Sequence, residues 1–311
     1  MINFRYHVVS IVAVFLALAV GIVMGTTVIS ESVVDRLEAD ARDFRARNGQ
    51  LRQEADRLEA ELGQYEQFGA AIVPPLIRDR LEGHPVAVLV EPGVPGALLD
   101  RTTDTLRTAG ASPGGTIRLT EAWTLEDPAH REQLAAVLGA DANPSDGPTL
   151  LSRGAEALGR RLGSDSDGGD DDLLRALDRA GFVKLDDLPA GALPGASTLI
   201  VYLSASAATA APNDETFTIP LLDMLAERSA ATPVVVAEPL DADESVVDRI
   251  RGIDELARAI ATVDHATTWP GALSLVWALA RGAGERVTHY GVRRGAAAIA
   301  PAVTPAPAAS S

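Results

Sequence analysis

Polarity along the chain changes character twice. From Val8 to Val28 no residue is charged. From Ser30 to about Phe68, apolar residues recur every three or four positions among many charges. Beyond Pro85, short unbroken apolar runs alternate with amphipathic stretches. Each regime predicts a different kind of element.

The first run matches the roughly 20 apolar residues that cross a bilayer core. A secretory signal has an apolar core of only about 7–15 residues, followed by small residues at a cleavage site. Here the run is longer, and no Ala-x-Ala pattern follows it. A buried soluble helix is rarely apolar on every face for such a length. The favoured reading is an uncleaved membrane anchor, with a cleaved signal or a soluble core helix as the alternatives. Arg5 precedes the span, whereas Glu31 and Asp35 follow it. The positive-inside rule then makes this a single-pass protein of the cell membrane, its amino terminus cytoplasmic and the rest of the chain extracytoplasmic. Within the span, Ala13, Ala17, Gly21 and Gly25 recur every four residues. Small residues at that spacing let two helices approach closely in lipid, although Gly and Ala are common in such helices generally.

The second regime repeats by sevens. Leu37, Phe44, Leu51, Leu58 and Tyr65 fall on one position, and Val34, Ala41, Asn48, Ala55 and Leu62 on another. These are the d and a sites of a coiled coil. A lone Asn at an a site, here Asn48, favours a parallel two-stranded register, so the expected partner is a second copy. The competing reading is one amphipathic helix packed on its own domain, but a stripe confined to a and d is narrower than a core-facing face. Gly49 and Gly63 weaken the helix locally. At about 1.5 Å per residue the segment makes a stalk of roughly 45–50 Å. Its seam does not continue the frame of the small-residue ladder, so the two faces rotate relative to each other or only one of them pairs. The stalk is expected to end near Phe68, and Pro74-Pro75 to close helix propagation.

In the third regime PVAVLV (Pro85–Val90), TLIVYLS (Thr198–Ser204) and PVVVAE (Pro233–Glu238) predict buried strands, with TIRLT (Thr116–Thr120) as a further candidate. AIATVD (Ala259–Asp264) is a similar run. Helices are predicted near Gly96–Ala109, Pro128–Leu138, Pro148–Leu162, Asp171–Ala180, Asp214–Ser229, Asp243–Gly252 and Pro270–Gly282. Unalternating strands interleaved with helices imply βαβ units, hence an α/β domain with a mostly parallel sheet. The chain therefore divides into an anchor (1–30), a coiled-coil stalk (31–70), an extracytoplasmic α/β domain (71–294) and an Ala/Pro-rich tail (295–311) expected to be disordered.

Composition narrows the function. With 311 residues, 47% of them hydrophobic, the chain is long enough for one full-sized core beside an elongated element. The net charge of −16 argues against a nucleic-acid partner, which phosphates would make repulsive. Cysteine is absent, so neither disulfides nor thiolate metal sites are possible.

Candidate chemistry is sparse. No phosphate-binding, dinucleotide, nucleophile-elbow or zincin motif occurs, and VEPGVPG lacks the third glycine and the lysine that phosphate loops use. The acidic run SDSDGGDDD (Ser164–Asp172) fails the EF-hand spacing and reads as a solvated loop with a helix cap. Three runs end in an acid: Glu91, Glu238 and Asp264. In open parallel sheets the binding crevice lies beyond the carboxyl ends of the strands. Glu91, Glu238 and Asp264, with His265 and Ser204, would there hold a cation or a hydrogen-bonding ligand, provided their strands are adjacent. Otherwise each caps its own turn. The histidines (His7, His84, His130, His265 and His289) and methionines (Met1, Met24 and Met224) are scattered, so no cluster suits a soft metal. His289 reads as a surface or packing residue.

The opening FRYHVVSIVAVFLALAVGIVMGTT runs straight into the heptads. With the later ATVDHATTWPGALSLVWALARGAGERVTHYG, its Val-Asp pair, Gly-led helix and His-Tyr-Gly tripeptide, it resembles the MctB family, whose corynebacterial relatives are called SteB. The family label implies copper transport or copper homeostasis, with a channel in the mycobacterial outer membrane and the copper ion as ligand. The SteB relatives imply an envelope protein that pairs with the membrane protein SteA and governs cell separation through peptidoglycan hydrolysis. The residues bear on these unequally. A pore needs several helical spans or a closed barrel, and neither is visible here. The expectation is a non-enzymatic, dimeric, membrane-anchored adaptor without a cofactor, with copper handling as the alternative.

Overall fold

A computed structural model of the chain describes residues 4–27, 31–139, 142–164, 172–188, 192–205, 212–229, 231–242, 245–282 and 285–302. The chain falls into two units, Met1–Tyr65 and Glu66–Ser311.

The first unit is helical. Helix α1 covers Phe4–Thr27. Its stretch Arg5–Gly25 is long and apolar enough to cross a membrane. Helix α2 is defined over Glu31–Ile77, and its residues through Tyr65 belong to this unit. Along it Leu37, Phe44, Leu51, Leu58, Leu62 and Tyr65 all lie exposed. The ion pairs Glu38–Arg42 (2.8 Å), Glu54–Arg57 (3.1 Å) and Arg57–Glu61 (3.6 Å) lie off that row. Such i,i+3 and i,i+4 pairs support a helix by a few tenths of a kcal/mol each. The side chain of Val34, an expected seam residue, lies outside the description.

The expectation that Pro74-Pro75 stops the helix is corrected: α2 passes through both and ends at Ile77. Two prolines remove two helical N–H donors. Here burial of Val73 (6% exposed) and Ile77 (1%) in the core of the second unit outweighs that loss. The Pro74 carbonyl still accepts from the Arg78 N–H at 3.1 Å, which closes the last turn.

The second unit is built on a seven-stranded sheet of order β3-β2-β1-β4-β5-β6-β7. Its strands are β1 (Pro85–Val90), β2 (Ser112–Leu119), β3 (Val183–Asp186), β4 (Leu199–Leu203), β5 (Val234–Ala237), β6 (Ala261–Val263) and β7 (His289–Tyr290). All neighbouring pairs are parallel except β2 with β3. Both faces are covered, which is why the strands read as continuous apolar runs. Leu89, Ile200, Tyr202, Val234 and Val236 enter one core with α4 (Pro128–Leu138), α5 (Gly147–Leu162), α7 (Ile219–Arg228) and α8 (Val246–Gly252). The alternate residues Val88, Val90, Val201, Leu203, Val235 and Ala237 enter the other, with the end of α2, α3 (Gly96–Thr108) and α10 (Trp269–Leu279). Two short helices, α6 (Leu173–Arg179) and α9 (Asp254–Ala259), complete the first layer.

Several expected boundaries move. Strand β2 begins at Ser112, ahead of the apolar TIRLT, and its register slips opposite Val86 and Val88. A Cβ on Gly114 would overlap the Val86 backbone, so glycine is what permits this close pairing. Asp214–Thr218 form a π-helical turn rather than the first turn of α7. Helix α8 starts at Val246, capped by Ser245, while residues 243–244 lie outside the description. Asp172 caps α6 and pairs with Arg161 at 2.6 Å; the preceding acidic residues 165–171 are not described. The tail assigned as disordered from 295 is ordered at its start. There the Ala298 carbonyl accepts from Gly291, Ala297 donates to His289, and Ala300 packs on the core.

Candidate functional site

Strands β1, β4, β5 and β6 are neighbours, and each ends one residue before a polar side chain. Glu91, Ser204, Glu238 and Asp264 consequently stand along one edge of the sheet, with His265 following Asp264. All five are at most 3% exposed. The strand order reverses between β1 and β4, where doubly wound sheets open a crevice. The topology thus aligns the candidate residues, but their hydrogen bonds divide them into two separate groups.

The first group surrounds Glu91. Tyr202 in β4 and Ser204 just beyond its end are two apart, so they point to the same side of the sheet. The Tyr202 hydroxyl donates to Glu91 Oε1 in a very short bond. The Ser204 hydroxyl and the Ala205 N–H both donate to Oε2 at 2.9 Å. The π-helical turn brings in the Thr218 hydroxyl at 3.5 Å from Oε1. Burial pushes the Glu91 carboxyl up to about 7, against the pull of these donors. Burial, and then Glu91 itself, drive the Tyr202 hydroxyl well above its ordinary value.

The second group joins Glu238 to Asp264. Asp264 Oδ2 accepts from Arg251 Nη1 at 2.7 Å and from the Arg293 N–H at 3.1 Å, while Oδ1 accepts from the Val292 N–H at 2.8 Å. Arg251 also donates to the Thr262 hydroxyl (2.9 Å) and the Tyr290 carbonyl (3.0 Å). Glu238 accepts from the Ser245 hydroxyl at 2.5 Å and the Val247 N–H at 3.3 Å, and the Arg293 Nε stands 3.4 Å away. Arg293 further reaches Asp248 at 3.2 Å and the Ala242 carbonyl. Arg293 therefore ties both acids and the segment before α8 to the turn that follows β7. Burial raises the Glu238 carboxyl above its usual range, although Ser245, Val247 and Arg293 oppose it.

His265 does not join either network. Its Nδ1 lies 3.8 Å from Asp264 Oδ1, too far for a hydrogen bond. Burial lowers its pKa, favouring the neutral ring, against the opposing influence of Asp264 and the Ile299 backbone. His289 is a packing residue: one ring nitrogen faces the Thr262 hydroxyl and the other the Ala257 carbonyl, each at 3.0 Å.

Tyr202, Arg251, Gly291 and Arg293 escaped the sequence reading. Tyr202 was concealed as the aromatic of an apolar strand, and the arginines sit far from their acids in the chain. The Gly-Val-Arg-Arg after β7 was the available signal, because a glycine at φ +143° presents the next two N–H groups to one carboxylate.

A family description, copper transport outer membrane protein MctB, matches residues 1–301. The chain belongs to the MctB family. The copper transporter MctB of Mycobacterium tuberculosis (strain ATCC 25618 / H37Rv) is 26% identical over 314 residues, covering 96% of this chain and 99% of that protein. Its counterpart from Mycobacterium bovis gives the same figures. That of Mycobacterium leprae is 23% identical over 316 residues, with the same coverage. The family reading from the opening block and the His-Tyr-Gly stretch is thereby upheld. Copper is the cargo named for these relatives. The sheet edge does not fit it: the carboxylates already hold arginine, hydroxyl and backbone donors. Among the described residues no three His, Asp or Glu side chains are grouped to hold a metal ion.

Proposed function

We propose that this chain is a membrane-anchored envelope protein that pairs with a second copy through α2 and uses its α/β domain as an adaptor or regulator, with no chemistry of its own. In this reading α1 is the single span, with the amino terminus in the cytoplasm. The observation that carries the proposal is the exposed row Leu37, Phe44, Leu51, Leu58, Leu62 and Tyr65, between 47% and 73% exposed on a single helix. A monomer gains nothing from apolar residues held in water at heptad spacing, whereas a parallel pair buries them. The closed, internally satisfied acids support an adaptor over an enzyme. The likeness to SteB makes a SteA-like membrane protein in cell separation the partner of choice. Single cysteines at Leu37, Phe44 and Leu51 in the full chain, oxidised in native membranes, should give disulfide-linked dimers. Cysteines at the outward positions Ala46 and Gln53 should not. Strictly monomeric behaviour throughout would refute the proposal.

The family description favours a second reading, a component of copper transport or homeostasis. Liposomes carrying the purified chain separate the two. Copper uptake above that of empty liposomes supports the second reading, and uptake equal to empty liposomes supports the first.

A further inference from the structure

The heptad frame does not stop at Tyr65. Continued by sevens it places Glu66 at an e site, Gly69 at the next a site and Ile72 at the next d site. In a longer coiled coil the a-site residue at 69 would enter a hole in the second copy's helix, and Glu66 would face that helix.

Both positions are already taken within the same chain. A Cβ on Gly69 would overlap the ring of Trp269, so the first residue of α10 lies directly on the α2 backbone. The guanidinium of Arg101, on α3, stands 5.0 Å from that ring's centroid and 3.3 Å from the Glu66 carboxylate. Further on, the next a-site residue, Leu76, packs on the same core as Leu98 and Leu273, in which Val73 and Ile77, at the flanking e and b sites, are buried. The face of α2 that continues the a row is thus covered by α3 and α10. Ile72, the d-site residue beside it, stays 44% exposed.

Resting on the paired reading above, we infer that Trp269 takes the a-site place at Gly69 that a second copy's helix would otherwise fill, so pairing between copies ends at Tyr65. The reason is steric. In a parallel two-fold pair the a and d rows of both helices face the axis. An a site filled by a side chain of its own chain cannot also receive a knob from a second copy, so the heptad contacts cannot run through Gly69. Glycine at 69 is what lets the indole come flush, and the Glu66–Arg101 pair draws off the charge nearest the seam's end. The heptad signal therefore overstates the length of the interface between copies.

The test compares disulfide formation at successive seam positions in the full chain in membranes. Leu58→Cys and Tyr65→Cys should link readily, and Ile72→Cys about tenfold less, because a disulfide needs Cα atoms within about 7 Å. Equal linking at 65 and 72 overturns the boundary and leaves the dimer intact. No linking at Leu37, Leu51, Leu58 or Tyr65 overturns the dimer, and the boundary with it. Adding Trp269→Ala should raise Ile72→Cys linking severalfold. Should that variant fold poorly, Gly69→Ala serves instead: it displaces the indole and should shift the linking ratio between 65 and 72 in the same direction. An unchanged ratio in a folded variant counts against Trp269 as the stop.

Discussion

The carboxylate of Asp264 occupies the space that a side chain on Gly291 would need. Gly291 also holds φ +143°, a conformation L residues rarely adopt. These two requirements coincide because the turn after β7 must present the Val292 and Arg293 N–H groups to one buried acid. Gly291→Ala should cost about 2–4 kcal/mol, from backbone strain and the broken carboxylate bonds together. Asp264→Ala should cost about 3–5 kcal/mol, because it strands Arg251, whose side chain is only 4% exposed. Denaturant midpoints of the full chain in detergent measure both. A loss below about 1 kcal/mol for either would mean that this network contributes little beyond ordinary surface polarity.

Glu91 should give the domain an unusual pH response. Its carboxyl sits near 7 when folded and at 4.5 as the reference. The folded state therefore binds the proton more tightly, and stability is full below about pH 4.5 and falls as pH rises toward 7. The shift is worth at most about 3 kcal/mol. Glu238, also raised, acts in the same direction. His265 and His289, both lowered from 6.5, oppose it, since their contribution is lost as pH falls below that value. Glu91→Gln should flatten the wild-type decline between pH 4.5 and 7 while leaving the acid-side losses. An identical pH–stability profile in the two proteins would show that Glu91 does not carry the response.

The architecture was readable where physics is local. A strand covered on both faces is apolar without alternation, so PVAVLV, TLIVYLS and PVVVAE declared themselves, and their interleaving with helices implied a parallel sheet. The acids Glu91, Glu238 and Asp264 were visible as the residues that end such runs. What they do was not, because Tyr202, Arg251 and Arg293 reach them across long sequence separations. Short edges were also hidden: β3 has four residues and β7 two, too few for a periodicity. The helix through Pro74-Pro75 shows tertiary burial at Val73 and Ile77 overriding local propensity.

In the pair proposed above, Asn48 should trade strength for register. A buried Asn at an a site disfavours other pairings at a cost in affinity. Asn48→Val should tighten self-association of the full chain by about tenfold, while disulfides form between mismatched positions such as Phe44 and Leu51 that the native protein does not link. Tighter association without such mismatched products would mean that register is set elsewhere, for instance by the anchor.

Salt should strengthen the proposed pair rather than weaken it. In a parallel register each g residue faces the e residue five positions on in the second copy. Asp40 then meets Arg45, an attractive pair, but Arg47 meets Arg52 and Glu54 meets Glu59, both of like charge. Arg57 relieves Glu54 from within its own helix, at 3.1 Å. The repulsion that remains is exposed, and each like pair costs some tenths of a kcal/mol. Raising ionic strength from about 0.01 M to 0.15 M shortens the screening length from roughly 30 to 8 Å. Self-association measured by dilution in non-ionic detergent should therefore tighten over that range. Arg52→Glu converts the Arg47 contact to an attractive one, so it should tighten the pair most at low salt and blunt the salt effect. A native pair that loosens as salt is added would point to an antiparallel or shifted arrangement in which opposite charges meet.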